Sequence, residues 1–240
     1  MSIASKRPQD NDFTLKIGNV NGTGSASANS MLMKSLFRMG IPVCGKNYFP
    51  SNIQGLPTWY EIRVNAEGHL ARSGRVDVMI AMNAETYRKD HSEVATGGYL
   101  VYDSTWPRSQ LFNRADIHIL GVPLSRICNE NFDNARSRIL MKNIMYVGVL
   151  AALLDLDMNI IKQLLNEQFA AKASLLDANQ KAIDLGFAYA REHFSCPLPF
   201  RARALEKTSN HMMIDGNTTA AGGCLFAGDT GGAWYPITPS

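Results

Sequence analysis

The residues best suited to chemistry lie at positions 18–25, Gly-Asn-Val-Asn-Gly-Thr-Gly-Ser. A short β-type run, 13–17, leads into them, and a helical pattern follows from Ala26. A strand, a glycine turn and a helix start together make an anion site. The first turn of a helix offers unpaired N–H groups and the positive end of its dipole. Gly18, Gly22 and Gly24 allow close backbone approach to a phosphate, while Asn21, Thr23 and Ser25 add donors. Taken alone, such a turn is equally compatible with tight packing.

Two features favour the phosphate reading. No Asp or Glu occurs from position 13 to 60, whereas Lys16, Lys34, Arg38 and Lys46 do. At the chain's overall composition those 48 residues would hold about four acids, so the window suits a surface that meets a polyanion. A dinucleotide fold for NAD would also want an acid some 20 residues beyond the turn, at the end of the second strand. Gly45 and Lys46 stand there instead. The stretch 46–55 reads as a polar loop, in which Lys46, Ser51, Asn52 and Gln54 supply donors beside the turn.

Other chemistry is thinly represented. Cys44, Cys128, Cys196 and Cys224 are scattered without a CxxC pair, so they read as free thiols and no metal site is expected. Net charge is +3, too mild to indicate nucleic acid. The polar first twelve residues hold no apolar signal-like core. The apolar run 144–154 is too short to span a bilayer and reads as a buried helix, so no membrane is expected and a cytoplasmic protein is.

The elements that must position the turn follow from periodicity. Residues 26–39 alternate as an amphipathic helix, with Gly40 as a left-handed stop. A strand is expected at 41–44, and a hairpin from 58–64 and 68–73. The apolar runs 76–81, 99–103 and 117–121 read as buried parallel strands covered by helices. Helices are expected at 133–154, at 158–169 with Asp157 as N-cap, and at 174–193. Residues 195–210 read as a linker, followed by a helix at 218–228 and a strand at 233–237. Thirty residues are too few for an independent core.

This arrangement resembles the gamma domain of the 2-oxoacid:ferredoxin oxidoreductases over residues 12–193. The resemblance runs through the glycine turn, the Phe-Pro-Ser-Asn-Ile-Gln-Gly loop at 49–55 and the Gly-Gly-Tyr-Leu-Val-Tyr-Asp-Ser strand at 97–104. The family turn reads GxGGQG, and here it departs to Gly-Asn-Val-Asn-Gly-Thr-Gly. Asp-Gly-Asn-Thr-Thr-Ala-Ala at 215–221 and Ala-Trp-Tyr-Pro-Ile-Thr-Pro-Ser at 233–240 resemble the opening of the alpha subunit. Gamma fused ahead of alpha is similar to the two-subunit enzymes, especially those for 2-oxoglutarate.

The resemblance implies an α/β fold: a three-layer, Rossmann-like gamma domain with a mostly parallel sheet at 1–194. A linker at 195–210 and an incomplete thiamine-site domain at 211–240 would follow. It implies conversion of a 2-oxoacid, coenzyme A and oxidised ferredoxin into acyl-CoA, CO2 and reduced ferredoxin. Thiamine diphosphate stabilises the carbanion in that chemistry, and iron–sulfur clusters carry single electrons. The diphosphate, its Mg²⁺ and the nearest cluster would be held by a beta subunit. Thr238 would present its hydroxyl to the oxoacid, Lys46 would reach substrate or coenzyme A, and the turn would hold phosphates of coenzyme A. The chain by itself would be an inactive, truncated part. A free-standing nucleotide-binding oxidoreductase and a non-catalytic interaction domain are the alternatives.

Overall fold

The computed structural model describes residues 9–49, 55–106, 113–170 and 173–233. The chain forms two compact units, Met1–Ser209 and Asn210–Ser240. In the first, the elements run β1 (Gln9–Asp10), β2 (Asp12–Val20), α1 (Ser25–Arg38), β3 (Val43–Tyr48), β4 (Pro57–Asn65) and β5 (Val76–Ala81). There follow α2 (Tyr87–Glu93), β6 (Val94–Asp103), β7 (His118–Val122), α3 (Leu124–Asn131), α4 (Ala135–Leu154), α5 (Met158–Phe169), α6 (Ala173–His193) and β8 (Phe200–Arg201). The second unit holds α7 (Gly216–Phe226), started by Asp215, whose carboxylate accepts from Thr218 N–H.

Six strands form one sheet in the order β3-β4-β2-β5-β6-β7. The pairs β2–β5, β5–β6 and β6–β7 are parallel, and β4 runs antiparallel to both β2 and β3. The mostly parallel α/β architecture is the one expected. Alternation of side chains divides the sheet residues between two cores. Phe13, Leu15, Ile17, Ile62, Val64, Val78 and Ile80 join residues of α1, α4 and α6 in the larger core. Met79, Ala81, Leu100 and Ile117 pack with Tyr87 of α2 on the other face.

α4 is long and apolar enough to cross a membrane, yet 72% of its most apolar stretch is buried inside the fold. Tyr146, Val147, Val149 and Leu150 are fully buried. It crosses α6 at very short range. A Cβ on Gly148 would lie 2.0 Å from the Ile183 carbonyl oxygen, and one on Gly186 would lie 2.1 Å from that of Met145.

Several expectations need correction. Residues 68–73 form no strand, and β4 pairs with β2 and β3 instead of closing a hairpin. The physical cause lies in Asn65, whose Oδ1 accepts from Glu67 N–H (3.0 Å) and His69 N–H (2.9 Å) and turns the chain away. Lys46 to Tyr48 are strand and not loop, because an edge strand pairs on one side only and tolerates polar residues. The strand expected at 41–44 begins at Val43. The helices α2 and α3 were not expected: at 7 and 8 residues each makes only about two turns, too few for a pattern to stand out in the sequence.

The stretch 195–210 is not a loose connection. Phe200 is fully buried, Leu198 and Ala202 nearly so, and β8 pairs with β1. Leu198 N–H donates to Leu153 O and Ala202 N–H to Leu154 O, both at 2.7 Å. The first unit therefore runs on to Ser209.

Candidate functional site

The glycine turn closes between the C-terminal end of β2 and the start of α1. Gly22 and Gly24 both take φ of 85°, a left-handed conformation that side chains disfavour. Gly24 is the N-cap of α1, which has no side-chain cap bond and no acid in its first turn. A Cβ on Gly24 would also strike Leu140 of α4 at 2.5 Å. Backbone N–H groups at this helix start thus remain available to an anion.

What holds the turn is a network that the glycines alone do not reveal. Asn143, on the otherwise apolar α4, is 1% exposed. Its Nδ2 donates to Thr23 O (2.7 Å), while its Oδ1 accepts from Asn19 Nδ2 (2.8 Å). Asn19 Oδ1 in turn accepts from Val20 N–H (2.8 Å), and Thr23 Oγ1 donates to Val20 O (2.8 Å). One turn further along α4, Tyr146 donates to Asn29 of α1 (2.8 Å). Burial of these groups in a shared polar network fixes one geometry, because any break leaves an unpaired group out of water. Asn143 was legible in one respect: it is an amide inside a long apolar helix.

Of the expected site residues, Asn21, Gly22, Thr23, Gly24 and Ser25 come together here. The loop end reaches them too, since Asn21 N–H donates to Leu56 O (2.9 Å) and Gly55 N–H to Asn21 O (3.3 Å). Ser51, Asn52 and Thr238 lie outside the described residues.

Gly18 belongs elsewhere. It sits within β2, paired with Trp59 and Ala81, and turns towards α2. Its missing Cβ makes room for Asp90 Oδ2, which would be 2.8 Å away, and Trp59 Nε1 at 3.1 Å. Gly18 is a packing glycine. Lys46 is likewise apart from the turn. It lies on edge strand β3 opposite Glu61, on the face away from α1, with Nζ 5.4 Å from the Tyr48 ring centre.

Asp90 behind Gly18 is fully buried and accepts from Trp59 Nε1 and Thr86 Oγ1, each at 2.7 Å. Loss of water raises its pKa above the ordinary 3.8, and those two donors only partly offset the rise. A raised folded pKa means the folded state holds this proton more tightly than the unfolded chain. Asp90 therefore favours folding most at low pH, and that contribution fades as pH rises through its folded pKa. Asp90→Asn should accordingly raise the unfolding midpoint at pH 7, with the difference from wild type closing as pH falls to the ordinary 3.8. Midpoints of the two proteins measured between pH 3.5 and 7 check this; parallel curves would refute it.

Beside the turn, α4 also borders a cavity of about 250 Å³ lined by Trp106, Ser125, Cys128, Arg138, Ile139 and Lys142. No acid lines it. Ile139 and Lys142 face the cavity while their neighbours Leu140 and Asn143 touch the turn. Asp103 lies close by, accepting from Thr105 Oγ1 (2.6 Å) and Ser125 Oγ, with Lys142 Nζ at 3.8 Å. Burial pushes the Cys128 thiol up to about 12, so it is no nucleophile at neutral pH. Among the described residues no group of three or more His, Cys, Asp or Glu is placed to hold a metal ion.

Comparison with known proteins bears on this geometry. The family model described as pyruvate ferredoxin/flavodoxin oxidoreductase matches residues 14–189. The alpha subunit of 2-oxoacid:ferredoxin oxidoreductase 2 from Aeropyrum pernix is 25% identical over 268 residues, covering 95% of this chain and 41% of its own length. The ketoisovalerate oxidoreductase subunit VorA of Methanothermobacter thermautotrophicus is 29% identical over 119 residues, 49% of this chain and 23% of its own. Among solved structures, the 2-oxoglutarate:ferredoxin oxidoreductase of Magnetococcus marinus, with 2-oxoglutarate, coenzyme A and succinyl-CoA bound, superposes with a TM-score of 0.80. It is 23% identical, over 92% of this chain and 38% of that one. A pyruvate oxidoreductase subunit from Thermotoga maritima gives 0.61 at 16% identity, over 74% of this chain and 96% of that one. The chain thus spans about two fifths of the A. pernix relative.

Proposed function

The chain belongs to the pyruvate ferredoxin/flavodoxin oxidoreductase family, and from that premise we propose that it is the coenzyme A-holding part of a 2-oxoacid:ferredoxin oxidoreductase. The assembled enzyme would form acyl-CoA, CO2 and reduced ferredoxin from a 2-oxoacid, coenzyme A and oxidised ferredoxin. The Magnetococcus marinus likeness favours 2-oxoglutarate as the oxoacid. Thiamine diphosphate with Mg²⁺, and an iron–sulfur cluster, would supply the carbanion and electron chemistry from a partner beta subunit. In this reading Thr238 is the donor to the oxoacid.

One observation carries the proposal: a rigidly held helix start with left-handed glycines, no capping side chain and no acid in its first turn. Such an end favours negative charge by its dipole and its free N–H groups. The cavity along α4 adds Arg138 on the same side, its other cation Lys142 being paired with Asp103. Lys46 lies outside this cluster, so the phosphates would be held by the turn without it.

Amide shifts provide the test. Coenzyme A should move the signals of Gly22 to Ser25 with an affinity that falls as salt rises, because the attraction is largely ionic. NAD should leave them in place. Shifts with NAD and none with coenzyme A would remove the assignment.

A further inference from the structure

A second cavity, of about 610 Å³, lies between the edge strand β7 and the segment that follows α6. That volume is in the range of small-molecule sites. Leu15, Val78, Tyr99 and His118 stand in one row across β2, β5, β6 and β7, and Tyr99 and His118 line the cavity. With strands about 4.8 Å apart and a rise of about 3.3 Å per residue, His118 is roughly 14 Å across and roughly 17 Å back from Val20, where the glycine turn departs. The two are separate places on the sheet.

Arg201 is the unusual group in the wall. Arg38 grips Glu167 with two hydrogen bonds (2.7 and 2.6 Å), and Arg114 grips Asp116 in the same way (2.9 and 2.6 Å). Arg201 faces Asp10 in the β1–β8 register, with Nε 3.3 Å from Oδ1, yet Nε makes no hydrogen bond and is closed to water. The pair is held in place by backbone and is poorly aligned. Nor do the two Nη groups bond to any described residue, although the side chain is only 22% exposed. A charge so far out of water calls for hydrogen-bonded partners, and the planar fork of a guanidinium suits a carboxylate.

His118 stands in the same wall without a hydrogen bond to a described residue. It stacks on Tyr99, ring centres 4.6 Å and planes 16° apart, and an imidazole keeps at least one N–H in either protonation state. Leu120, Phe194 and Pro197 give apolar walls, and no acid lines the cavity.

We propose that this cavity binds a small aromatic carboxylate, its charge on Arg201 and His118 and its flat body against Leu120, Phe194 and Pro197. The site is independent of the coenzyme A reading and stands or falls without it.

The probe is 2-naphthoate, with 2-naphthylmethanol as its uncharged counterpart, titrated into the protein and followed by NMR. The acid should move the signals of His118, Leu120 and Phe194 and leave those of Gly22 to Ser25 in place. The alcohol should bind at least about tenfold more weakly, the loss of a charge-assisted bond, and Arg201→Gln should weaken the acid by a similar factor. Because Arg201→Gln also loosens the tie between β8 and β1, Asp10→Asn supplies an arm with the opposite sign. It removes the rival carboxylate, so 2-naphthoate should bind severalfold more tightly even though the same tie is weakened. Damage to the fold cannot raise affinity. Equal affinity for acid and alcohol would make the cavity an apolar hollow, and unmoved signals at His118 would leave it to water; either result overturns the proposal. So does an Asp10→Asn protein whose affinity is unchanged or lower, which would show that Arg201 serves only to fasten β8.

Discussion

Phe200→Ala should lower the unfolding midpoint by roughly 6–20 °C. Emptying a closed phenylalanine site typically costs about 3–5 kcal/mol, and each kcal/mol moves a chain of this size by about 2–4 °C. Phe200 is fully buried, with its ring centre 6.4 Å from that of Phe13 and 6.1 Å from that of Tyr99. Its neighbours cannot easily collapse into the gap. Leu198 and Ala202 are tied by backbone bonds to the end of α4, and further on Leu205 N–H donates to Met39 O and Lys207 N–H to Gly40 O. A residue in a solvated connection would instead change stability by less than about 0.5 kcal/mol. Thermal unfolding followed by far-UV circular dichroism separates the two, and an unmoved midpoint would restore the linker.

Asn143→Leu should cost about 2–4 kcal/mol and loosen the glycine turn in particular. Leucine has the same branched shape and number of side-chain heavy atoms as asparagine and suits an apolar helix better, so its bulkier methyl groups are the lesser part of the cost. The cost comes from the groups left behind. Thr23 O loses its 2.7 Å donor, and Asn19 Nδ2 is stranded at 5% exposure; each unpaired buried group is worth about 1–3 kcal/mol. Asn143→Asp retains the acceptor for Asn19 but sets an oxygen against the Thr23 carbonyl in a buried site, and should lose at least as much at neutral pH. Hydrogen exchange locates the effect: amides of Gly22 to Ser25 should exchange faster by more than the global destabilisation accounts for, while the centre of β5 follows the global change. Equal acceleration everywhere would show that the turn is held by its own Thr23–Val20 and Asn21–Leu56 bonds.

The sequence made some elements plain because one physical signal dominated each. α5 was readable at both ends, with Asp157 Oδ1 accepting from Asn159 N–H (2.8 Å) as its cap. α1 was readable from helical apolar spacing and from Gly40, whose φ is 77°. The strands of the parallel sheet showed as apolar runs because both their faces are covered. Where signals competed, the reading failed. β3 is polar because it is an edge, α2 is polar because it is short and half-exposed, and 195–210 looked loose because its buried residues are few and interrupted by prolines.

The site was legible in outline and not in its supports. Glycines and small polar residues at 21–25 announced the turn, since only they satisfy its left-handed positions. Gly18 carried the same letter for another reason, a close approach by Asp90 and Trp59 that is 41 or more residues away in sequence and has no local signature. Asn143 showed only as an amide in an apolar helix, without a sign of what it holds. Its meaning depends on Thr23 and Asn19, partners that only the folded chain brings near.

The close crossing at Gly148 and Gly186 divides this domain into a part that can move and a part that cannot. With backbone carbonyl oxygens standing where each Cβ would be, α4 cannot slide a residue along α6 without driving main chain into main chain. Helix register shifts of that kind belong to the microsecond-to-millisecond range even where packing permits them, whereas loops reorganise in nanoseconds to microseconds. Asn143 rides on α4, little more than one turn from Gly148, so the Thr23 side of the turn is a stationary anvil. Any adjustment to a ligand then falls to the opposite side of the turn, where Asn21 is held only by backbone bonds with Gly55 and Leu56. Relaxation measurements should find stillness in α4 and at Thr23 alike.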